Sequence, residues 1–251
     1  MTTPHAIDYA NSTILITGGA SGIGLALATR MQKRGAVVVV CGRRRSQLDI
    51  AKGLGLPTIE ADIADEGGRV RLAERVVHEF PKLNVLINNA GIQQRPPKIT
   101  EPQDWSAHAA ELAVNLAAPM HLSMLLVPHL LNASKPFIVN VTSGLAFGPL
   151  ASMPTYCATK AALHSFTLSL RHQLKGSVGV VEIVPPAVNT DLGGKGLHDF
   201  GVPLDPWADH AMLQLDNGSI EFGYDSSEKR RLSSRAESDA AFEAMNARFS
   251  G

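Results

Sequence analysis

The stretch Thr17-Gly-Gly-Ala-Ser-Gly-Ile-Gly24 follows a short apolar run, residues 13–17, and precedes a helical pattern at residues 25–33. Its glycines follow the spacing G-x-x-x-G-x-G, and glycine allows positive φ angles and the close approach of a pyrophosphate. The next helix offers unpaired N–H groups and the positive end of its dipole. A glycine-rich turn can also be purely structural, but its position after the first strand of a βαβ unit predicts nucleotide binding.

Beyond this turn, apolar runs and helical patterns alternate along the chain. The strand-like runs are residues 13–17, 37–41, 57–61, 85–88, 137–142 and 178–184, and the helical patterns are residues 25–33, 68–80, 111–131 and 155–175. Such alternation indicates βαβ units, and right-handed crossovers then give a Rossmann-like, doubly wound parallel α/β sheet with helices on both faces. No linker divides the chain before about residue 190.

Composition limits the class of protein. The chain has 251 residues, of which 45% are hydrophobic, and its 23 basic and 23 acidic residues cancel. This balance gives no footprint for nucleic acid and argues weakly against an anionic membrane surface. Two cysteines, Cys41 and Cys157, exclude a disulfide scaffold. Residues 1–11 lack a signal peptide pattern, and no apolar run is long enough to span a membrane, so we expect a cytoplasmic protein without membrane insertion.

The composition changes after Asp191. Glycines and prolines crowd residues 191–206, which we interpret as a mobile loop that covers a site. Residues 226–249 are charged and helix-prone. They are either a solvated C-terminal helix or an interface or lid element.

The end of the second predicted strand bears on cofactor choice. Cys41-Gly-Arg-Arg-Arg45 holds no carboxylate to bind the ribose hydroxyls of NAD. Arg43 can pair with a 2′-phosphate, which favours NADP(H) over NAD(H), although a solvated basic turn is the alternative. Asp62 either accepts from the adenine amino group or caps the following helix.

Three side chains form a candidate reactive group. Tyr156 and Lys160 lie one turn apart on a predicted helix, and an ammonium near a phenol lowers the phenol pKa. Such a tyrosine can exchange a proton with an alcohol or carbonyl near neutral pH. Ser143 follows a predicted strand, where its hydroxyl can bond the substrate oxygen. Asn115 lies inside a helical pattern, where a local kink that holds a water would explain an otherwise unfavourable residue.

Together with Asn88-Asn-Ala-Gly91 and Pro185-Pro-Ala-Val-Asn-Thr190, these motifs resemble the short-chain dehydrogenase/reductase family from about residue 13 to 190. Within the family, the chain is similar to oxidoreductases of the DltE type. The resemblance implies a single domain with about seven parallel strands, the last at residues 220–224, and hydride transfer between nicotinamide and a carbonyl or alcohol carbon.

The resemblance also implies roles for individual residues. Tyr156 would be the acid/base, Lys160 would lower its pKa and bind the nicotinamide ribose, Ser143 would orient the substrate oxygen, and Asn115 would hold a water. The expected cofactor contacts are Gly18, Ser21, Gly22, Ile23, Gly24, Arg43, Asp62, Ile63, Asn89, Ala90, Gly91, Tyr156, Lys160, Pro186, Val188 and Thr190. The expected substrate contacts are Gln93, Ser143, Leu145, Phe147, Leu192, Leu197, His198 and Phe200.

We therefore divide the chain into a dehydrogenase domain at residues 1–225 and a helical extension at residues 226–251. Because that extension departs from the family pattern, a homodimer through the helices at 111–131 and 155–175 is expected, with a tetramer as the alternative. The expected activity is that of an NADP(H)-dependent oxidoreductase acting on a small carbonyl or alcohol, with no metal. The other hypotheses are a non-catalytic NADP-binding regulatory or scaffold protein, and an epimerase or dehydratase of nucleotide sugars.

Overall fold

A computed structural model describes residues 6–247 of the chain. The predictions for residues 1–5 and for the last four residues of the extension, 248–251, lie outside this range. The strands are β1 (Thr13–Thr17), β2 (Val37–Gly42), β3 (Thr58–Glu60), β4 (Leu83–Asn88), β5 (Phe137–Val141), β6 (Gly179–Val184) and β7 (Glu221–Gly223). The helices are α1 (Gly22–Lys33), α2 (Arg45–Gly53), α3 (Glu66–Glu79), α4 (Trp105–Leu112), α5 (Ala118–Leu130), α6 (Pro154–Gln173), α7 (Leu204–Asp216), α8 (Ser226–Leu232) and α9 (Arg235–Ala247).

The seven strands form one parallel sheet in the order β3-β2-β1-β4-β5-β6-β7. The direction in which strands are added reverses between β1 and β4. In such a sheet, a ligand crevice opens beyond the carboxyl ends of the strands at this switch point. The predicted doubly wound sheet is confirmed.

Both faces of the sheet are covered, because neighbouring residues of each central strand point to opposite sides. Ile14 and Ile16 of β1 pack in the cluster that contains Trp207 of α7. Leu15, between them, packs in the opposite cluster with Leu122 of α5. Burial on both sides explains why these strands are continuously apolar.

Two helices were not predicted. α2 has only Leu48 and Ala51 fully buried, so its apolar stripe is too narrow to stand out. α7 begins directly after Pro203 and buries Trp207. The predicted loop at 191–206 therefore ends earlier than expected, and its far end is held by the Asn189 N–H, which donates to the Val202 carbonyl at 2.9 Å.

Two predicted helices are interrupted. The pattern at residues 111–131 belongs to a longer helical run in which the π-helical turn Ala113–Ala117 separates α4 from α5. The pattern at residues 226–249 divides into α8 and α9, because the chain leaves helical geometry at Ser233, where ψ is 140°.

The helical run at Trp105–Leu130 is, within residues 6–247, the stretch long and apolar enough to cross a membrane by length and composition. Its Leu122, Leu126 and Leu130 are fully buried in the core. Glu111 and Asn115 on the same run are also buried, each with backbone hydrogen-bond partners. Packing against the sheet thus accounts for the apolar composition of this run.

Candidate active site

A cavity of about 1370 Å³ lies at the carboxyl edge of the sheet. Its walls come from the β1–α1 turn, the end of β2, the loops after β4 and β5, residues 185–202, and the helices α8 and α9. All predicted cofactor contacts line it except Gly24, Asp62 and Tyr156. The cavity therefore joins the predicted nucleotide site to the predicted reactive group.

The turn at the base of the cavity requires glycine because of its backbone angles and its close contacts. Gly18 has a φ of +64°, its N–H donates to the Cys41 carbonyl at 2.8 Å, and a Cβ there would lie 2.9 Å from the Cα of Ala90. Gly22 has a φ of +52°. At Gly24, a Cβ would lie 2.5 Å from the Gly18 carbonyl oxygen, so Gly24 supports the turn by close packing instead of lining the cavity.

The first turn of α1 is arranged to receive an anion. Ser21 is the N-cap residue, but its side chain makes no capping hydrogen bond to the helix N–H groups. Arg44 Nη2 donates to Ser21 Oγ at 2.9 Å, which places a guanidinium beside the helix N-terminus. N–H groups, dipole and guanidinium together favour a phosphate at this point. Sequence reasoning proposed Arg43 for a 2′-phosphate and did not consider Arg44, because only the fold shows that Arg44 turns toward the cradle.

Arg43 also lines the cavity and pairs with Asp62, with 3.8 Å between Arg43 Nη1 and Asp62 Oδ2. Asp62 does not cap α3. Asp65 does, since its Oδ2 accepts from the Gly68 N–H at 2.6 Å. The helix-cap alternative for Asp62 is therefore wrong.

The turn after β4 is locked to β1. Thr17 Oγ1 accepts from the N–H groups of Asn89 and Ala90 at 3.0 and 3.1 Å. Asn89 Nδ2 donates to the Thr17 carbonyl at 2.9 Å. These bonds fix the cavity floor beside Gly18.

Ser143, Tyr156 and Lys160 come together at the cavity wall, where Lys160 lines the cavity. Tyr156 is 5% exposed and Lys160 4% exposed. Lys160 Nζ lies 5.8 Å from the centre of the Tyr156 ring and donates to the Val141 carbonyl at 2.9 Å. Ser143 Oγ accepts from the Leu145 N–H at 3.1 Å and lies beside the Tyr156 phenol. The structure thus groups the three side chains that the sequence singled out.

The pKa of Tyr156 departs from the sequence-based expectation. Burial raises it above its usual value, and the Ser143 hydroxyl opposes this only in part. Burial also lowers the pKa of Lys160 to about 8, against a small opposing effect of Glu182. Burial is the largest influence on the Tyr156 phenol here and acts against the lowering by Lys160 that the sequence analysis expects, so that lowering stays a prediction.

Asn115 lies in the π-helical turn between α4 and α5, so the expected irregularity is present. Its Oδ1 accepts from the Ile92 N–H at 2.9 Å, and its Nδ2 donates to the Ile92 carbonyl at 2.8 Å. π-turns inside α-helices are frequent at functional sites. Asn115 thereby fixes the loop after β4, one residue beyond Gly91.

A buried carboxylate that the sequence analysis missed lies next to the group of Ser143, Tyr156 and Lys160. Glu182 of β6 is fully buried, and it accepts from Thr142 Oγ1 at 2.7 Å, while His164 Nδ1 lies 2.9 Å from its Oε2. The hydrogen bond to Glu182 raises the pKa of His164. An acidic residue inside the apolar run Gly179–Val184 was the signal available in the sequence.

His164, Glu182 and Glu221 place three potential metal-ligand atoms within 4.8 Å of one another. However, Arg171 and Arg231 already pair with Glu221 at 3.3 and 3.2 Å. A cation at this point would have to displace both guanidinium groups. We therefore assign this cluster a structural role as a set of ion pairs and not a role in metal binding.

The predicted substrate contacts also line the cavity, except for Ser143 and Leu197. Leu197 folds back toward Gly194: its Cδ1 lies 3.1 Å from the position that a Cβ on Gly194 would take. Its role as a substrate contact stays a prediction. Gln93 Oε1 and His198 Nδ1 are buried without a hydrogen-bond partner among residues 6–247. Both residues line the cavity.

The C-terminal segment forms a wall of the same cavity. Ser227 Oγ donates to the Val184 carbonyl at 2.6 Å, which holds α8 against the end of β6. Asn246 Oδ1 accepts from the Ala151 N–H at 2.6 Å, and its Nδ2 donates to the Pro149 carbonyl at 3.2 Å. The interpretation of this segment as a purely solvated helix is therefore wrong.

Comparisons with known proteins agree with this arrangement. The family profile described as short chain dehydrogenase matches residues 12–199. An uncharacterized oxidoreductase of Bacillus subtilis, DltE, is 44% identical over 245 residues, which is 94% of this chain and 97% of that protein. A short-chain dehydrogenase from Sphingobium yanoikuyae in complex with NADPH has a TM-score of 0.76 at 25% identity, covering 95% of each chain. A 3-ketoacyl-(acyl-carrier-protein) reductase from Brucella melitensis complexed with NADH has a TM-score of 0.78 at 26% identity, covering 88% of this chain and all of the other.

Proposed function

The chain belongs to the short chain dehydrogenase family, and on that premise we propose that it is an NADP(H)-dependent oxidoreductase acting on a carbonyl or secondary alcohol. The observation that carries the proposal is the buried group of Ser143, Tyr156 and Lys160 beside the glycine cradle. A tyrosine and a lysine that only formed a surface helix pair would remain in water.

The glycine cradle suits a dinucleotide cofactor. Gly18 and Gly22 leave room for a backbone that approaches a pyrophosphate, and the first turn of α1 offers its N–H groups. Arg43 and Arg44 would hold a 2′-phosphate, and β2 ends without a carboxylate that would repel it. When bound, the cofactor supplies a nicotinamide ring that gives or accepts a hydride.

In the proposed mechanism, the Tyr156 phenol exchanges a proton with the substrate oxygen. Because burial raises its pKa, the phenol stays protonated at neutral pH and is ready to donate that proton to a carbonyl. Ser143 Oγ bonds the same oxygen and orients it. Lys160 binds the nicotinamide ribose and stabilises the tyrosinate, and Asn115 positions the loop that faces them.

The test is the Tyr156→Phe variant, assayed with NADPH and a panel of carbonyl compounds. We expect turnover to fall by about 100- to 10 000-fold, because the general acid is lost, while NADPH binding by fluorescence stays unchanged. Tyr224→Phe is the matched control, since Tyr224 lies outside the cavity lining.

A Tyr156→Phe variant that kept its rate would disprove the proposed mechanism. A wild-type protein that binds NADPH but reduces nothing in a broad panel would favour the non-catalytic alternative.

The assembly and location also remain proposals. We propose a cytoplasmic homodimer joined through α5 and α6, whose outward side chains include Met124 and Leu168, 58% and 45% exposed. Light scattering coupled to gel filtration checks this, with a monomer mass as the contradicting result.

A further inference from the structure

Arg230 of α8 reaches into the cavity from the C-terminal wall. A Cβ at Gly148 would lie 3.4 Å from Arg230 Cδ, and a Cβ at Gly144 would lie 3.7 Å from Arg230 Nη1. The side chain therefore runs along the loop that follows β5. Its Nη1 approaches Gly144, the residue that follows Ser143 in the chain.

This guanidinium donates to no oxygen acceptor within residues 6–247. Its one hydrogen bond runs from Nη2 to the sulfur of Met245 at 3.3 Å, and a thioether is a weak acceptor. The adjacent Arg231, in contrast, pairs with Glu221 and Glu228 at 3.2 and 2.6 Å. Arg230 is thus a half-buried cation whose five N–H donors are almost unused.

Partial burial of this group costs hydration that the protein does not replace. A charge that leaves water without a counter-ion or strong acceptors destabilises the folded state. Burial lowers the pKa of Arg230, which is the sign of an uncompensated charge. A ligand that brings the missing oxygens would remove this cost when it binds.

We propose that Arg230 binds a carboxylate of the substrate, so that the protein acts on oxo acids or the corresponding hydroxy acids. This inference rests on the proposed function and names its substrate class. A planar carboxylate matches the guanidinium with two parallel N–H···O bonds.

The surroundings favour a monoanion with an apolar chain. Of the described residues of α8 and α9, Arg230 is the only basic one that lines the cavity, and Ala241, Ala244 and Met245 line the same wall. Arg95 and Lys195 line the cavity from the loop after β4 and from residues 185–202. A phosphate dianion would need a second cation there. Leu145 and Phe147 of the loop after β5 offer apolar contact to the carbon chain between the carboxylate and the reacting carbonyl.

The experiment uses unbranched oxo acids of increasing length, each with its methyl ester, as substrates with NADPH. At the best length, kcat/KM for the acid should exceed that for the ester by about ten- to a hundredfold. In Arg230→Met, this preference should disappear through a higher KM for the acid, with the ester unaffected. Lys229→Gln is the matched control, because it removes a charge from an 83% exposed side chain on the same helix.

The melting temperature separates binding from a structural role. Methionine fills similar space without a charge, so Arg230→Met should keep or raise the melting temperature. A clear fall would assign Arg230 to structure and overturn the inference.

Two further results would overturn it. One is an acid and an ester used equally well by the wild type at every length. The other is an acid preference that survives in Arg230→Met.

If no compound turns over, the proposed function fails, and the inference is then decided by calorimetric titration of the same acids into the NADPH-saturated protein. Binding that Arg230→Met abolishes would support the carboxylate site. Equal binding by both proteins, or none by either, would overturn it.

Discussion

The two ends of the cavity are built in different ways. At the cradle end, Gly18 and Asn89 are fixed by hydrogen bonds to the backbone of the central strands, inside the sheet's own framework. At the far end, the wall is α9, most of whose side chains are exposed, and Asn246 is its buried residue.

The contrast teaches where changes in this protein are tolerated. The residues of the cradle are hydrogen-bonded to the strands of the core, so a substitution there alters both cofactor binding and folding. The C-terminal wall rests on the core through a few polar contacts, so a substitution there can alter substrate preference while the fold remains intact. The following experiments test the two ends of the cavity and the buried lysine that lies between them.

The largest effect is expected for Gly18→Ala at the cradle. Alanine at this position would have to keep a left-handed backbone conformation, and its Cβ would press against the Cα of Ala90. We therefore expect a loss of about 2–5 kcal/mol in unfolding free energy and no NADPH binding. Urea unfolding and fluorescence titration measure the two effects. The control is Gly53→Ala, where no atom lies within 4 Å of the new Cβ. If the Gly18→Ala variant were stable and bound NADPH, the proposed difference between the two ends of the cavity would be wrong.

The pH dependence of stability tests the buried lysine between the two ends. Lys160 loses its proton near pH 8 in the folded chain and near pH 10.5 when unfolded. Between these values the unfolded chain holds more protons, so raising the pH stabilises the folded protein.

Compared with Lys160→Met, the wild type should gain up to about 3 kcal/mol in unfolding free energy from pH 8 to 10.5. Urea unfolding at several pH values measures this difference. Parallel curves for the two proteins would show that the lysine is not desolvated.

The preference for NADPH over NADH tests the two arginines beside the cradle, Arg43 and Arg44. Replacing Arg43 or Arg44 with alanine should weaken NADPH binding by about ten- to a hundredfold and leave NADH binding unchanged, because only NADPH carries the 2′-phosphate. Fluorescence titration compares the two cofactors. Arg45→Ala is the control, since Arg45 is 83% exposed and pairs with Glu60 at 3.7 Å. Equal loss for NADH would move the arginines' role to the pyrophosphate.

The smallest effect is expected at the C-terminal wall. Asn246→Ala removes the contacts to Pro149 and Ala151, which should cost about 1 kcal/mol. Because this loss is local, the amides of α9 should exchange hydrogen faster while those of the central strands do not change. Faster exchange throughout the sheet would show that the wall is part of the cooperative core.

Much of the fold followed from the sequence because the central strands are buried on both faces. Their apolar runs are continuous, and each strand was placed to within two residues of its observed bounds. The grouping of Tyr156 with Lys160 followed from helical spacing alone. α7 was hidden, in contrast, because the prolines and glycines before it are typical of a loop.

The parts that escaped prediction depend on distant contacts. The direction of Arg44 depends on how the end of β2 meets the β1–α1 turn, and the isolation of Arg230 depends on which residues of the 144–148 loop pack against it. The pKa of Tyr156 depends on burial, which residue spacing does not reveal. Such quantities require the complete three-dimensional arrangement.

The C-terminal wall is also the last described part of the chain that a ribosome produces. β7 ends at Gly223, so all seven strands, the cradle and Tyr156 have been synthesised before α8 and α9. In the order of synthesis, the residues that form the cofactor site therefore precede those of the wall that encloses the cavity.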